Sequence, residues 1–523
     1  MAGYMPTNFA SLPLLTDVVP NALLGLAKEA MNSTWRTVFG RPLTRAQDAS
    51  RRPYKYSIRA PWPQPNPHAP DEMAPVVLHL PEAELREFSR VILARLARQL
   101  RQRLVPALWF AHKNQEIAPI SDSEHVRHLT ETLFARSMTT ELDPSDRAAL
   151  GTLADSSGVV YKLDLTAADL LKPLPGTFTG GCLVYFVRPA PSARCVPLGI
   201  VFPEAGVAPL LIRPVDGNAW ELSKHYAISS ASYLGLLGTH TLLHFPSDAL
   251  NAITKAVLPL DHTLSRLLMP HLYMQLCLNF SVQHIDKSPY HNNQNEFFTG
   301  LTYDGPTTPW RITRRVYSGM EGNPTYPAYV FPREVQKTHS DYGDFLGGYY
   351  RIIKAFVAEV LADVTIEDPR VLRWADECAR HVRGFPDAEE MQDRDVLVSS
   401  VAYIICNNSV IHSVDHYSWG TIPLLDRSLR MRVPPPRSRD IPALDRSAFT
   451  TVDDRFRLFL TDEMALTPTR FVETRLEDVD YAFPEPHLRA ANARFIEELK
   501  TYDRNPGVTR HTPLHDIAAS IQY

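Results

Sequence analysis

Cysteine is scarce in this chain. Cys182, Cys195, Cys277, Cys378 and Cys406 are odd in number, widely spread and nowhere spaced as C-x-x-C. A disulfide framework and a zinc–cysteine site are therefore disfavoured, and the reduced thiols of a cytoplasmic protein fit better. Glycine is also in short supply, with 23 residues against 44 prolines. Neither G-x-G-x-x-G nor G-x-x-x-x-G-K-[ST] occurs, so a Rossmann or P-loop nucleotide site has no support. A surplus of positive charge is missing too. The 54 Lys and Arg against 58 Asp and Glu leave a net charge of −4, which argues against a nucleic-acid partner. No apolar run reaches the roughly 18 residues of a spanning helix. The N-terminal MAGYMPTNFASLPLLTDVVPNALLG has no basic start and contains an acid and prolines, so it does not read as a secretory signal. At most a peripheral membrane contact is expected.

What is present is core material. Hydrophobic residues make up 44% and charged residues 21% of 523, an ordinary globular balance. Length alone would suggest three or four domains at about 150 residues each. Proline, at about 8% against the usual ~5%, implies many stiff connections. Residues 52–75 hold seven prolines without helical periodicity and read as an extended arm. The next segment, 81–104, has apolar spacing of three and four behind a proline, which predicts an amphipathic helix with a basic, solvated outer face. Residues 180–214 switch to short β-type runs broken by proline and glycine, a small sheet. From Trp220 onward the pattern is mainly helical, strongest over 224–245, 254–282, 344–363, 367–383 and 391–417. The last of these is almost uncharged, as suits a helix at the centre of a large domain. Residues 433–442 (VPPPRSRDIP) read as a loop.

The histidines are unevenly placed. Nineteen of them would give roughly 0.7 pairs at i, i+4 by chance, counting template matches, and three such pairs are present. Residues four apart on a helix share a face, which suits two ligands to one metal. His240/His244 and His412/His416 both lie in apolar segments, where two imidazoles are costly unless each nitrogen finds a partner. His511/His515 sits in a polar stretch and reads as surface. On spacing alone, a shared metal and core histidines bonded to backbone carbonyls weigh about evenly. Four neutral nitrogens without thiolate would suit iron, manganese or another first-row metal. Asp415, the one nearby acid, points off the His412/His416 face.

The residues also carry a resemblance. WELSKHYAISSASYLGLLGTHTLLHF (220–245) with AVLPLDHTLSRLLMPH (256–271) resembles the lipoxygenase signature, with Trp220, Lys224, Leu258, Pro259, His262, Leu267, Leu268, Pro270 and His271 in register. SSVAYIICNNSVIHSVDHYSW is similar to that family's core helix, in which a histidine precedes an asparagine or histidine by four positions. The closing ASIQY is similar to the family's N-S-I-x-I. The likeness covers roughly 180–280 and 390–523. It differs in several places. The first two histidines are four rather than five apart, as in some fungal manganese members. Ser223 and Thr263 replace an alanine and a proline, the last residue is tyrosine, and Trp419 stands where a glutamine is usual. Pro246 adds a kink or helix end just past His244.

The resemblance implies a mainly α, lipoxygenase-like large helical domain around long central helices, with a small sheet of short strands. Residues 1–523 would form that single catalytic domain, with 1–110 a proline-rich arm and amphipathic helix acting as a cover, and without the N-terminal lipid-binding β-barrel. It implies a non-haem iron centre, or a manganese one, held by His240, His244, His412, His416 and the α-carboxylate of Tyr523. On this resemblance no protein group would act as catalyst beyond the metal-bound hydroxide, which would take hydrogen from a doubly allylic carbon before O2 adds to give a lipid hydroperoxide. Trp419 and Leu243 would shape the cavity or the surroundings of the ligands, and His262 and His271 would be structural. A polyunsaturated fatty acid or related polyene would be the substrate of a monomeric, cytoplasmic enzyme. Arg311, Arg314 and Arg315 form a basic cluster that reads as a solvated loop. The alternatives on the same scaffold are a hydroperoxide isomerase, an oxidase of a polyene secondary metabolite, and a metal-free lipid-binding relative.

Overall fold

The computed structural model describes residues 116–203, 208–284, 290, 307–319, 326–336, 338, 340–421, 429–462 and 474–522, with short pieces upstream. The expected arm and cover lie outside the described residues except for a few positions. Ser57–Ile58 pairs antiparallel with Val77–His79. Within 81–104, Glu84, Phe88 and Val91 are helical and buried while Arg90 is exposed, the one-sided burial that an amphipathic helix requires.

The sheet is a five-stranded antiparallel meander: Met138–Thr139, Val159–Asp164, Leu183–Arg188, Val196–Phe202 and Leu210–Ile212. Its last three strands fall in the stretch that sequence predicts, and the first two lie upstream of it. Alternate side chains divide between its faces. Val184, Phe186, Ile200 and Ile212 enter the main core, while Tyr185, Val201 and Leu211 meet Leu150 of the Pro144–Leu150 helix. Pro197 sits opposite Phe186, beside a register shift, which is how an inner strand accommodates a residue without an N–H.

Helices occupy most of the rest. Asp341–Leu361 packs against both Arg394–Cys406 and Pro486–Asp503. Asp368 and Asp393 cap the starts of Pro369–His381 and Arg394–Cys406 with their carboxylates. Trp374 is fully buried and donates from Nε1 to Thr254 Oγ1 at 2.9 Å, fixing Pro369–His381 on Thr241–Val257. The apolar helix Arg394–Trp419 is long enough by composition to cross a membrane, but 94% of its apolar window is buried inside the protein. It is the central element that its lack of charge predicts. One cluster of buried apolar side chains runs from Phe88 to Ile521.

Three expectations are corrected. The predicted helix over 254–282 is broken: Thr241–Val257 ends because Leu258, preceding Pro259, adopts an extended conformation, and separate helices follow at Thr263–Leu268 and Gln275–His284. Conversely, Pro246 does not end its helix, which continues to Val257 with one backbone donor fewer. The arginines 311, 314 and 315 lie on the exposed face of the Thr307–Ser318 helix rather than in a loop.

Candidate metal centre

Two apolar helices bring the histidine pairs together. The first runs over Gly217–Leu234, widens into a π-helical turn at Gly235–Thr239, and resumes as Thr241–Val257. The second does the same, with Arg394–Cys406, a π turn at Asn407–Ile411, and His412–Thr421. In each, the first histidine of the pair closes the wide turn by donating its backbone N–H five residues back, His240 to Gly235 and His412 to Asn407. Such turns insert one residue into a helix and re-aim the side chains beyond it. Close packing holds the first of them. A Cβ at Gly235 would stand 2.8 Å from Phe134, and one at Gly238 2.9 Å from Val316.

The result is a group of four imidazoles, His240, His244, His412 and His416, whose ligand atoms all lie within 4.8 Å of one another. His244 Nε2 is 3.0 Å from His240 Nε2 and 3.1 Å from His412 Nε2. His416 stacks edge-on to His240 with ring centres 4.6 Å apart. His240, His412 and His416 are buried and His244 is partly so. The third pair is not part of the group, and His515 is exposed.

Outward-facing bonds decide the tautomers. Asn279 donates from Nδ2 to the His244 carbonyl and to Asp248 Oδ1, so its Oδ1, 2.8 Å from His244 Nδ1, must accept. Similarly, His240 Nδ1 lies 3.2 Å from the carboxylate of Asp415, which already accepts from Arg136 at 2.5 Å and Tyr342 at 2.8 Å. Both histidines are therefore protonated on Nδ1, and their Nε2 lone pairs face each other at 3.0 Å. Two acceptors at that distance repel unless a cation sits between them. A shared proton is disfavoured there. Burial, followed by repulsion from His416, His244 and Arg136, holds the His240 imidazole well below its ordinary range, and burial brings His244 down to about 4. Neutral imidazoles with convergent lone pairs are the donor set a first-row metal takes, so the residues fit the metal that the sequence implies.

Around the ligands, Trp419 is buried with its ring 5.0 Å from His240 and 5.4 Å from His416. Leu243 is buried, and its carbonyl accepts from Asn407 Nδ2 at 3.0 Å, tying the two helices together. His262 caps the Thr263–Leu268 helix. His271 reaches the Ala519 carbonyl at 2.7 Å and Tyr481 at 2.9 Å. Ala518 to Gln522 are buried, and the Ala518 N–H donates to Ser413, next to His412. The tail thus passes beside the second histidine helix. Tyr523 lies outside the described residues. Sequence reasoning missed Asn279, Arg136 and Tyr342, and it set Asp415 aside. Only Asp415 carried a signal, as an acid inside an apolar helix.

Solved structures share this architecture. The manganese lipoxygenase of Gaeumannomyces graminis is 15% identical, with 91% of this chain and 97% of that one aligned at a TM-score of 0.67. The chain has a lipoxygenase-like fold. A coral 8R-lipoxygenase aligns at a TM-score of 0.61 and 15% identity over 77% of this chain and 66% of that one. A lipoxygenase solved with arachidonate aligns at 0.62 and 14% identity over 87% and 76% respectively. No protein-family profile and no curated protein sequence matches the chain. At such identities the lipoxygenase-like likeness is one of fold, and any chemistry must be read from the centre itself.

Proposed function

We propose that this chain is a lipoxygenase-like dioxygenase that oxygenates a polyunsaturated fatty acid or related polyene at a non-haem metal. The observation that carries the reading is the cluster of four imidazoles with ligand atoms within 4.8 Å of one another at the meeting of the two π-interrupted helices of a lipoxygenase-like fold. A metal bound there supplies one-electron redox chemistry, suited to removing hydrogen from a doubly allylic carbon ahead of O2 addition.

The chain's own residues do the rest. His240, His244, His412 and His416 would hold the metal, with the α-carboxylate of Tyr523 as the proposed fifth donor. Trp419 and Leu243 would exclude water and bound the cavity beside the centre. The four-residue histidine spacing and the manganese lipoxygenase neighbours favour manganese as strongly as iron. The neighbour solved with arachidonate supports a fatty-acid substrate. Residues 1–523 would form one catalytic domain, covered by 1–110. The five cysteines are buried and outside any disulfide among the described residues, which fits a reducing, cytoplasmic setting, and we take the active form to be a monomer.

Metal analysis of purified protein and O2 uptake with linoleate or arachidonate test the reading, with ultraviolet absorbance reporting conjugated diene. Near-stoichiometric iron or manganese with diene formation is expected. Metal-replete protein that takes up no O2 would overturn the dioxygenase reading.

A further inference from the structure

Asp415 stands one residue before His416, yet its side chain works on the other helix. Its Oδ2 lies 3.2 Å from His240 Nδ1 and accepts from Arg136 Nη2 at 2.5 Å. Its Oδ1 accepts from the Tyr342 hydroxyl at 2.8 Å. These three partners come from three different elements: the first histidine helix, the turn Leu133–Ser137 and the helix Asp341–Leu361. Asp415 is itself fully buried.

Helix packing alone does not explain this arrangement. A buried ion pair forfeits several kcal/mol of hydration for each charge, and an apolar residue of similar size often serves stability as well or better. The two histidines of the first pair are also backed differently. His244 has the neutral amide of Asn279 behind it, whereas His240 has an anion. A carboxylate behind an imidazole fixes the ring's tautomer and direction and makes its inner nitrogen a stronger donor.

We propose that Asp415 is a positioning residue of the metal centre. Held by Arg136 and Tyr342, it locks His240 with Nε2 inward and makes it a stronger donor than His244. The inference rests on the proposed metal centre. Arg136 balances the charge, so the carboxylate stays in place without leaving the interior net negative. Tyr342 fixes its second oxygen, which keeps the first aimed at His240.

Manganese(II) alone is the probe, titrated into metal-depleted wild type and Asp415→Asn by calorimetry, with high-field EPR of the bound ion. The variant is expected to bind about tenfold to a hundredfold more weakly and to show an altered zero-field splitting, which a merely structural role would not move. Asp415→Glu should recover part of both. Because Asp415→Asn leaves the Arg136 charge buried without its partner, the double variant Arg136→Met with Asp415→Asn guards against misfolding and should show the same weakened binding. In metal-free wild type, nitrogen-15 NMR of labelled histidine reads the His240 tautomer without any variant. A proton on Nδ1 supports the proposal and a proton on Nε2 overturns it. Folded variants with wild-type affinity and spectrum also overturn it and leave the metal centre standing. Wild type that binds neither manganese(II) nor iron(II) removes the metal centre and this inference together.

Discussion

His244 lies at the middle of the centre, its Nε2 within 3.1 Å of those of both His240 and His412. With both rings protonated on Nδ1, the His240–His244 contact is repulsive without a cation, so it lowers the stability of the metal-free protein and a bound metal would relieve it. His244→Gln replaces an acceptor with an amide that can donate to His240. It is expected to change metal-free stability by less than about 1 kcal/mol while abolishing stoichiometric metal, read by thermal unfolding and elemental analysis. A large fall in metal-free stability would contradict the repulsion. Behind the ring, burial pushes the Asp248 carboxyl well above the usual carboxylate range, and its Oδ1 accepts from Asn279. Asp248→Asn keeps that oxygen while removing the ionisable group. It should cost no more than about 1 kcal/mol in urea unfolding at neutral pH, and a loss of several kcal/mol would show that the carboxylate form is needed.

The two π turns decide where the pairs point. Each i, i+4 spacing puts two imidazoles on one helix face, and that much is legible in the sequence. Which way the face turns is not. An extra residue in each helix, at Gly235–Thr239 and Asn407–Ile411, rotates the pair relative to the packed segment before it. An α-helix turns about 100° per residue. Adding one alanine after Val410 should therefore turn His412 and His416 by about 100° off the centre, with little loss of helical circular dichroism but loss of bound metal. An insertion variant that retains its metal would show that the phase of the pair is dispensable. The helix expected across Leu258–Pro259 is broken, whereas Pro246 sits inside a helix that continues. Leu258–Pro259 ends a helix because the residue before proline avoids helical angles. Pro246 ends nothing, because a missing N–H costs only one bond in a helix whose burial on both sides holds it.

On the scale of the whole molecule, the C-terminal tail is part of the interior. Ala518 to Gln522 are buried and tied to His271, Ser413 and Tyr273. If the carboxylate of Tyr523 is a ligand, residues appended after it should remove metal and activity together, whereas an extended protein that retains both would exclude it. The buried histidines outside the centre set a pH dependence. Burial brings His271 down to about 4 from an ordinary 6.5, and burial, with Lys224 nearby, brings His125 down to about 3. Below pH ~6.5 the unfolded chain takes up protons that the folded chain refuses, so stability is full above that pH and falls toward 4, by about 3 kcal/mol for a fully buried histidine. Urea midpoints of the metal-free protein should drop between pH 7 and pH 5, and a flat profile would show that these rings gain partners when protonated.

The chain by itself determined what depends on near neighbours. Most helical stretches, the strands after residue 180 and the two same-face histidine pairs come from periodicity and spacing, which act within a turn or two of backbone. Tertiary structure decided what depends on distant partners. His244 and His412 meet across 168 positions, and Arg136 reaches Asp415 across 279. Asn279 and Asp415 gain their roles only from the rings they face. A side chain's partner at that separation is set by how helices pack, and packing leaves no mark on the local pattern of residues. A buried acid beside a histidine pair therefore reads as a misplaced ligand in sequence and as the support behind His240 in the fold.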